Sequence, residues 1–193
     1  MQKLTRADLL SLERYAAERV QFRARAIAHK RARTLHLGEH ATLLFEDRLT
    51  VQYQVQEMLR VERIFEAAGI DGELAAYNPL IPDGGNLKAT VLFEYTDEAA
   101  RRRALATLGG IEHRFFAGVE GFPPIPAHAD EDLDRSTDAK TSAVHFLRFE
   151  FAPDEVAGLR GGAGLSFGID DPRMPLRATV GEPLRSALLA DFD

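Results

Sequence analysis

Apolar residues recur along this chain at two periods, and the switches between them outline most of its elements. Over residues 6–28, Leu9, Leu10, Leu12, Tyr15, Ala16, Val20 and Ile27 make a broad stripe at helical spacing with no Gly or Pro between them, which predicts a helix starting near Thr5. Thr34–Leu37 and Ala41–Phe45 are short apolar runs around Gly38-Glu39-His40, the pattern of a β-hairpin. The period then returns to helical over residues 47–68, with Gly69 as terminator, and a second short helical stretch at 72–77 is stopped by Asn78-Pro79.

Residues 79–86 are crowded with Pro and Gly and predict a loop. A half-buried strand at 87–95, a helix at 97–108 ended by Gly109-Gly110, and a strand at 111–119 follow. Residues 121–138 carry three prolines and the acids Asp130, Glu131, Asp132, Asp134 and Asp138, so they predict a long connection with a short extended piece near 125–128. The strongest strand is 142–151, rich in β-branched and aromatic residues. Beyond it come a helical turn or two after Pro153, strands at Leu165–Ile169 and 176–180, and a closing helix at 182–190.

Strands and helices are mixed here without the regular alternation of a parallel sheet. The expected architecture is therefore one α+β domain over residues 1–193, with a mainly antiparallel sheet packed against the long helix at 47–68 and the N-terminal helix. Composition narrows the function classes. With 24 basic and 30 acidic residues the formal charge is -6, which disfavours nonspecific nucleic-acid binding. No apolar run approaches the roughly 18–20 residues that span a bilayer, and the N-terminus lacks an apolar signal core, so a cytoplasmic protein with no membrane partner is expected. The absence of cysteine excludes thiolate ligands, disulfides and cysteine nucleophiles.

Two segments place ionisable groups inside apolar patterns. On a helical wheel Val51, Val55, Met58 and Phe65 share a stripe that contains Glu62, while Tyr53, Val61 and Ile64 make an adjoining one that contains Glu57. In the strand at 142–151, Ala143, His145, Leu147, Phe149 and Phe151 point to one face, and Val144, Phe146, Arg148 and Glu150 to the other. A buried carboxylate must be paired, hydrogen-bonded or protonated. These positions nominate a candidate polar pocket of Glu57, Arg60, Glu62, His145, Arg148 and Glu150.

Plainer readings stand beside it: local ion pairs Glu57–Arg60 and Arg63–Glu66, a core histidine bonded to a backbone carbonyl, and structural pairing of Arg148 with Glu150. The basic stretch Arg19, Arg23, Arg25, Lys30, Arg31 and Arg33 is read as a solvated helix face and C-terminal cap. Motif searches yield exclusions. There is no His-Glu-x-x-His, no Glu-x-x-His, no EF-hand loop and no Gly-x-Ser-x-Gly elbow, and Gly161-Gly162-Ala163-Gly164 lacks the context of a phosphate loop. His36 and His40 flank an exposed turn, and Glu112-His113 and His128 stand alone, so no metal centre is expected from spacing, and the sequence leaves any cofactor unknown.

The string Leu44-Phe45-Glu46-Asp47-Arg48-Leu49-Thr50, its continuation through Gln52, Gln54, Gln56-Glu57-Met58 and Arg63-Ile64-Phe65-Glu66, and the strings Tyr77-Asn78-Pro79-Leu80-Ile81-Pro82 and Lys140-Thr141-Ser142-Ala143-Val144-His145-Phe146-Leu147-Arg148-Phe149 resemble the uncharacterised bacterial domain-of-unknown-function family 3501. The resemblance covers nearly the whole chain. It implies a place near rubrerythrin-like proteins and iron–sulfur oxidoreductase subunits in redox or peroxide metabolism, and it carries over no catalytic residue. The expected function is a non-catalytic accessory or ligand-binding protein of such a system. Two competing expectations are an acid–base enzyme, with a glutamate as base, His145 as proton carrier and an arginine holding a small anionic substrate, and a thiolate-free metal-binding protein.

Overall fold

A computed structural model of the chain describes residues 1–131, 135–136 and 140–193. Among these residues nine strands follow one another as Thr34–Leu37 (β1), Ala41–Phe45 (β2), Asn86–Phe93 (β3), Phe115–Val119 (β4), Ile125–Pro126 (β5), His128–Ala129 (β6), Val144–Glu150 (β7), Leu165–Ile169 (β8) and Leu176–Thr179 (β9). All pairings are antiparallel, and they make two sheets, β1-β2-β3-β7-β6 and β5-β4-β8-β9. The hairpin β1–β2 has the predicted bounds, and Gly38 supplies the positive φ of its turn at +65°.

The two sheets face each other across a shared apolar core. Phe45 of β2 and Phe149 of β7 both pack on Phe167 of β8, at ring-centroid distances of 4.8 and 5.0 Å. The edges also approach: β1 lies against β9, and β5 lies near β7, so the pair of sheets curves into a flattened, partly closed barrel. Leu184 and Leu188 of the C-terminal helix, together with Phe192, complete this core. The long connection after β4 thereby gains a physical role, since its two short strands join different sheets.

Among the described residues six α-helices accompany the sheets: Leu12–Arg31 (α1), Arg48–Val61 (α2), Ala67–Tyr77 (α3), Glu98–Thr107 (α4), Pro153–Arg160 (α5) and Leu184–Leu189 (α6). A second apolar cluster, built on Leu4, Val51, Val55, Leu59, Leu74 and Ile81, holds the N-terminal segment, α2 and α3 together. The predicted first helix begins later than expected. Arg6–Asp8 forms a separate 3-10 turn closed by Thr5 and Asp8, and α1 starts after Ser11, whose hydroxyl accepts from the Arg14 N–H.

The predicted long helix at 47–68 is two helices. Asp47 caps α2 through the Leu49 and Thr50 N–H groups, but the helix ends at Val61, where Glu62 is the capping residue and Arg63 adopts φ +55°. The Ile64 N–H then bonds the Leu59 carbonyl, and both side chains belong to the second apolar cluster, which is the pattern of a Schellman stop. That stop is usually made with glycine, and here Arg occupies the position. Gly69, the expected terminator, and Gly72, the expected start of the next helix, both lie inside α3. Residues 111–114 form a 3-10 turn in place of the predicted strand start, and β4 begins at Phe115.

Candidate functional site

The β3–β7 register, with Lys88 opposite Arg148 and Val91 opposite His145, fixes what each face of the first sheet carries. His145, Leu147 and Phe149 turn inward to the core, while Phe146, Arg148 and Lys88 turn outward beneath the helical layer. Between that outer face and α2–α3 lies a cleft of about 880 Å³. Met58 of α2, Ala76 and Tyr77 of α3, Leu80, and Phe146 of β7 provide an apolar lining. Four cationic side chains, Lys3, Lys88, Arg135 and Arg148, and three carboxylates, Glu73, Asp83 and Glu131, complete it.

The charges of this cleft are already ordered. Lys88 is buried, and its ammonium donates to the carbonyls of Pro79 and Ile81 at 2.7 and 3.0 Å and to Asp83 at 3.0 Å. Burial pulls its pKa down. Burial also pushes the Asp83 carboxyl up, but hydrogen bonds from Lys3, Lys88 and Asn86 outweigh it and hold that carboxyl well below the usual range. The Arg148 guanidinium makes a bidentate pair with Glu131, both contacts at 2.8 Å, and reaches Glu150 at 2.5 Å. Arg135 lies 4.6 Å over the Phe146 ring and 3.3 Å from Asp130.

Behind β7, on the core side, lies a second polar group. His145 is fully buried, and its Nδ1 is 2.6 Å from Asp130 Oδ2. Its Nε2 is 2.7 Å from the Thr141 hydroxyl and 3.1 Å from the Ser142 carbonyl. Thr141, 1% exposed, donates in turn to Glu112 Oε2 at 3.2 Å, and Glu112 is itself 3% exposed. Asp130 adopts φ +48°, a left-handed conformation that Asp tolerates better than most residues. In that conformation one carboxylate oxygen meets His145 and the other accepts the Phe146 N–H at 2.9 Å. Ligand-capable atoms of Glu112, Asp130 and His145 lie within 4.8 Å of one another.

The six sequence candidates therefore fall in separate places. Arg148 lines the cleft, with Glu150 beside it on the same outer face, and His145 is on the opposite face of β7. Glu57 packs toward α1, accepting from Tyr15 Oη at 2.6 Å, from Arg19 at 2.8 and 2.9 Å and from Arg60 at 3.1 Å. Glu62 is exposed at the end of α2, and Phe65, its expected stripe partner, is 73% exposed. The helical period breaks before residue 62, so the wheel that put Glu62 among apolar residues does not extend that far. Glu112, Asp130 and Thr141 were not singled out by spacing, because each meets His145 only through the tertiary fold. Of the acids in the 121–138 connection, Asp132, Asp134 and Asp138 lie outside the described residues.

The Glu57 cluster gives a pH prediction. Chiefly through the Arg19 hydrogen bonds, and against burial, the Glu57 carboxyl is lowered to about 2 from an ordinary 4.5. A carboxyl lowered on folding contributes stability above about pH 4.5 and loses it as pH falls toward 2. Solvent reaches Arg19 and Arg60, so the contribution is about 1–2 kcal/mol. Urea midpoints of wild type and Glu57→Gln, measured between pH 7 and 3, should differ at neutral pH and converge in acid. A constant gap across that range would show that the carboxylate charge is not what the cluster uses.

A family model described as a protein of unknown function (DUF3501) matches residues 3–192. A crystal structure described as a novel protein of unknown function from Burkholderia pseudomallei is similar at 51% sequence identity with a TM-score of 0.94, covering 100% of both chains. None of the curated proteins matches.

Proposed function

The chain belongs to the DUF3501 family, whose description assigns no activity, and from the geometry of its cleft we propose a non-catalytic protein that binds a small carboxylate- or phosphate-bearing molecule with an apolar body. The observation that carries this is the cleft of about 880 Å³ between the sheet and the α2–α3 layer, with apolar walls and a cationic margin. Ligand sites of drug-sized molecules are of this size and are mostly apolar with a few placed polar groups. The body of the ligand rests on Met58, Tyr77 and Phe146. Its anionic group takes the place of the Glu131 carboxylate on the Arg148 guanidinium, since Glu131 is half exposed and can swing away.

An acid–base enzyme gains less support. His145 is enclosed behind β7, away from the arginine that would hold a substrate, and a proton carrier needs reach to its substrate. A role as an accessory of a cytoplasmic redox or peroxide system rests on the motif resemblance alone, and the lack of cysteine makes that role one of binding or delivery and not of thiol chemistry.

Native mass spectrometry of freshly purified protein, followed by calorimetric titration with aromatic and aliphatic carboxylates and phosphates, tests the reading. A ligand found either way should bind at least tenfold more weakly to Arg148→Met and to Ala76→Trp, the second of which fills the cleft without touching a charge. Unchanged affinity in Ala76→Trp would remove the cleft as the site.

A further inference from the structure

We propose that the buried group behind β7 binds one divalent cation of the zinc, manganese or ferrous type, through His145 Nε2 and the Glu112 carboxylate, with the Thr141 hydroxyl as a further oxygen donor and Asp130 as the positioning residue for the imidazole. Three observations support it independently of the cleft. First, the donors are enclosed: Glu112, Thr141 and His145 are each at least nine-tenths buried, and Asp130 is 8% exposed.

Second, Glu112 is underserved. A buried carboxylate can accept about four hydrogen bonds, and leaving it short costs several kcal/mol. Among the described residues Glu112 accepts one, at 3.2 Å from Thr141; its other oxygen is 3.7 Å from the exposed His113 ring, and Arg173, which also feels its charge, has its guanidinium held by Asp171. Glu112 therefore has no close cation committed to it among these residues, a place that an ion can take.

Third, the imidazole is oriented as metal-bound histidines are. Its Nδ1 is tied to a carboxylate at 2.6 Å, and its Nε2, facing the Thr141 hydroxyl at 2.7 Å and the Ser142 carbonyl at 3.1 Å, binds a cation in exchange for its proton. Around an ion with ligand bonds of about 2.0–2.2 Å, donor atoms sit about 3–4 Å apart. Ligand-capable atoms of Glu112, Asp130 and His145 lie within 4.8 Å of one another, so taking up an ion requires the donors to draw inward. A mixed nitrogen and oxygen donor set without thiolate suits these ions and not cuprous copper.

The test uses full-length protein treated with chelator, dialysed, and titrated separately with Mn²⁺ and Zn²⁺ by calorimetry and thermal unfolding. One equivalent of at least one ion should bind saturably and raise the melting temperature. Glu112→Gln keeps the side-chain shape and should weaken uptake at least tenfold. Asp130→Asn should weaken it by about 10–100-fold, as loss of an orienting partner does, and His40→Ala, at the surface hairpin, should change nothing. Circular dichroism and the melting temperature without ion establish that each variant is folded. No saturable uptake by the wild type, wild-type uptake in Glu112→Gln, or loss of uptake in His40→Ala would each overturn the site and leave in its place a hydrogen-bonded chain from Asp130 to Glu112. Arg148→Met should not alter uptake, so failure here and failure of the cleft reading are separable.

Discussion

Arg33→Met is expected to lower the unfolding free energy by about 3–5 kcal/mol, which for a chain of this size is a fall in melting temperature of roughly 6–20 °C. The side chain is buried, and its five donors are almost entirely spent. Nε bonds the Phe45 carbonyl at 3.0 Å, Nη1 the Ala187 carbonyl at 3.2 Å, and Nη2 the Glu46 carbonyl at 3.3 Å together with the Asp191 carboxylate. Asp47, the cap of α2, lies 3.6 Å away and also meets His29 at 2.5 Å. One guanidinium thus ties the end of β2, the start of α2, helix α6 and the C-terminal residues. Methionine fills the volume but strands Asp191 and three carbonyls.

The same variant has a sign that can be checked against pH. Burial, partly offset by Arg33, pushes the Asp191 carboxyl up to about 6 from 3.8, so the folded state holds its proton more tightly than the unfolded chain does. A carboxyl raised on folding makes stability fall as pH rises from about 4 through 6. Without Arg33 the carboxyl rises further, and the deficit of the variant should be smallest near pH 4–5 and grow toward pH 8. Arg33→Met/Asp191→Asn should recover much of the loss, because removing both partners leaves no buried charge. A single-variant cost below about 1 kcal/mol, or a deficit that does not grow with pH, would show that the ion pair is not what joins these elements.

Arg33 also shows where sequence reading stops. Within the run Arg19 to Arg33 nothing local separates a solvated cation from a buried one, since the partners of Arg33 lie as far along the chain as residue 191. Arg19 likewise finds Glu57, 38 residues away. The hairpin at 34–45 was legible because its turn is written in adjacent residues, and the strand at 144–150 because alternation is a local property. The break at residues 62–66 was not, since Arg at the left-handed position carries no compositional mark and the stop is set by Ile64 packing with Leu59. Of the site, the inward and outward faces of β7 could be read from its period of two. The partners behind it could not.

That boundary is sharpest at Asp130, which the sequence presents only as one acid in a long connection, and its replacement carries the second large expected effect. In protein stripped of metal, Asp130→Ala should cost about 3–5 kcal/mol. It removes a partner from a fully buried imidazole, takes the acceptor from the Phe146 N–H, and places a residue less tolerant of φ +48° at that position. Asp130→Asn should cost only about 1–2 kcal/mol. Its Oδ1 must keep accepting from Phe146, so its amide N–H faces His145 Nδ1 and obliges the ring to carry its proton on Nε2. The Thr141 hydroxyl and the Ser142 carbonyl both lie within reach to accept that proton. Most hydrogen bonds survive, yet Nε2 then carries the only ring proton and gives it up to a cation less readily, so the variant that is nearly wild type in stability should take up the cation about 10–100-fold more weakly. Glu131 and Arg135, on the cleft side of the same segment, stay in place in the Asn variant and shift in the Ala variant, so ligand affinity at the cleft should fall only in the latter. Equal denaturant midpoints for Asp130→Ala and Asp130→Asn would mean that Asp130 contributes through its conformation alone and that the hydrogen-bonded chain to His145 does not organise this end of the barrel.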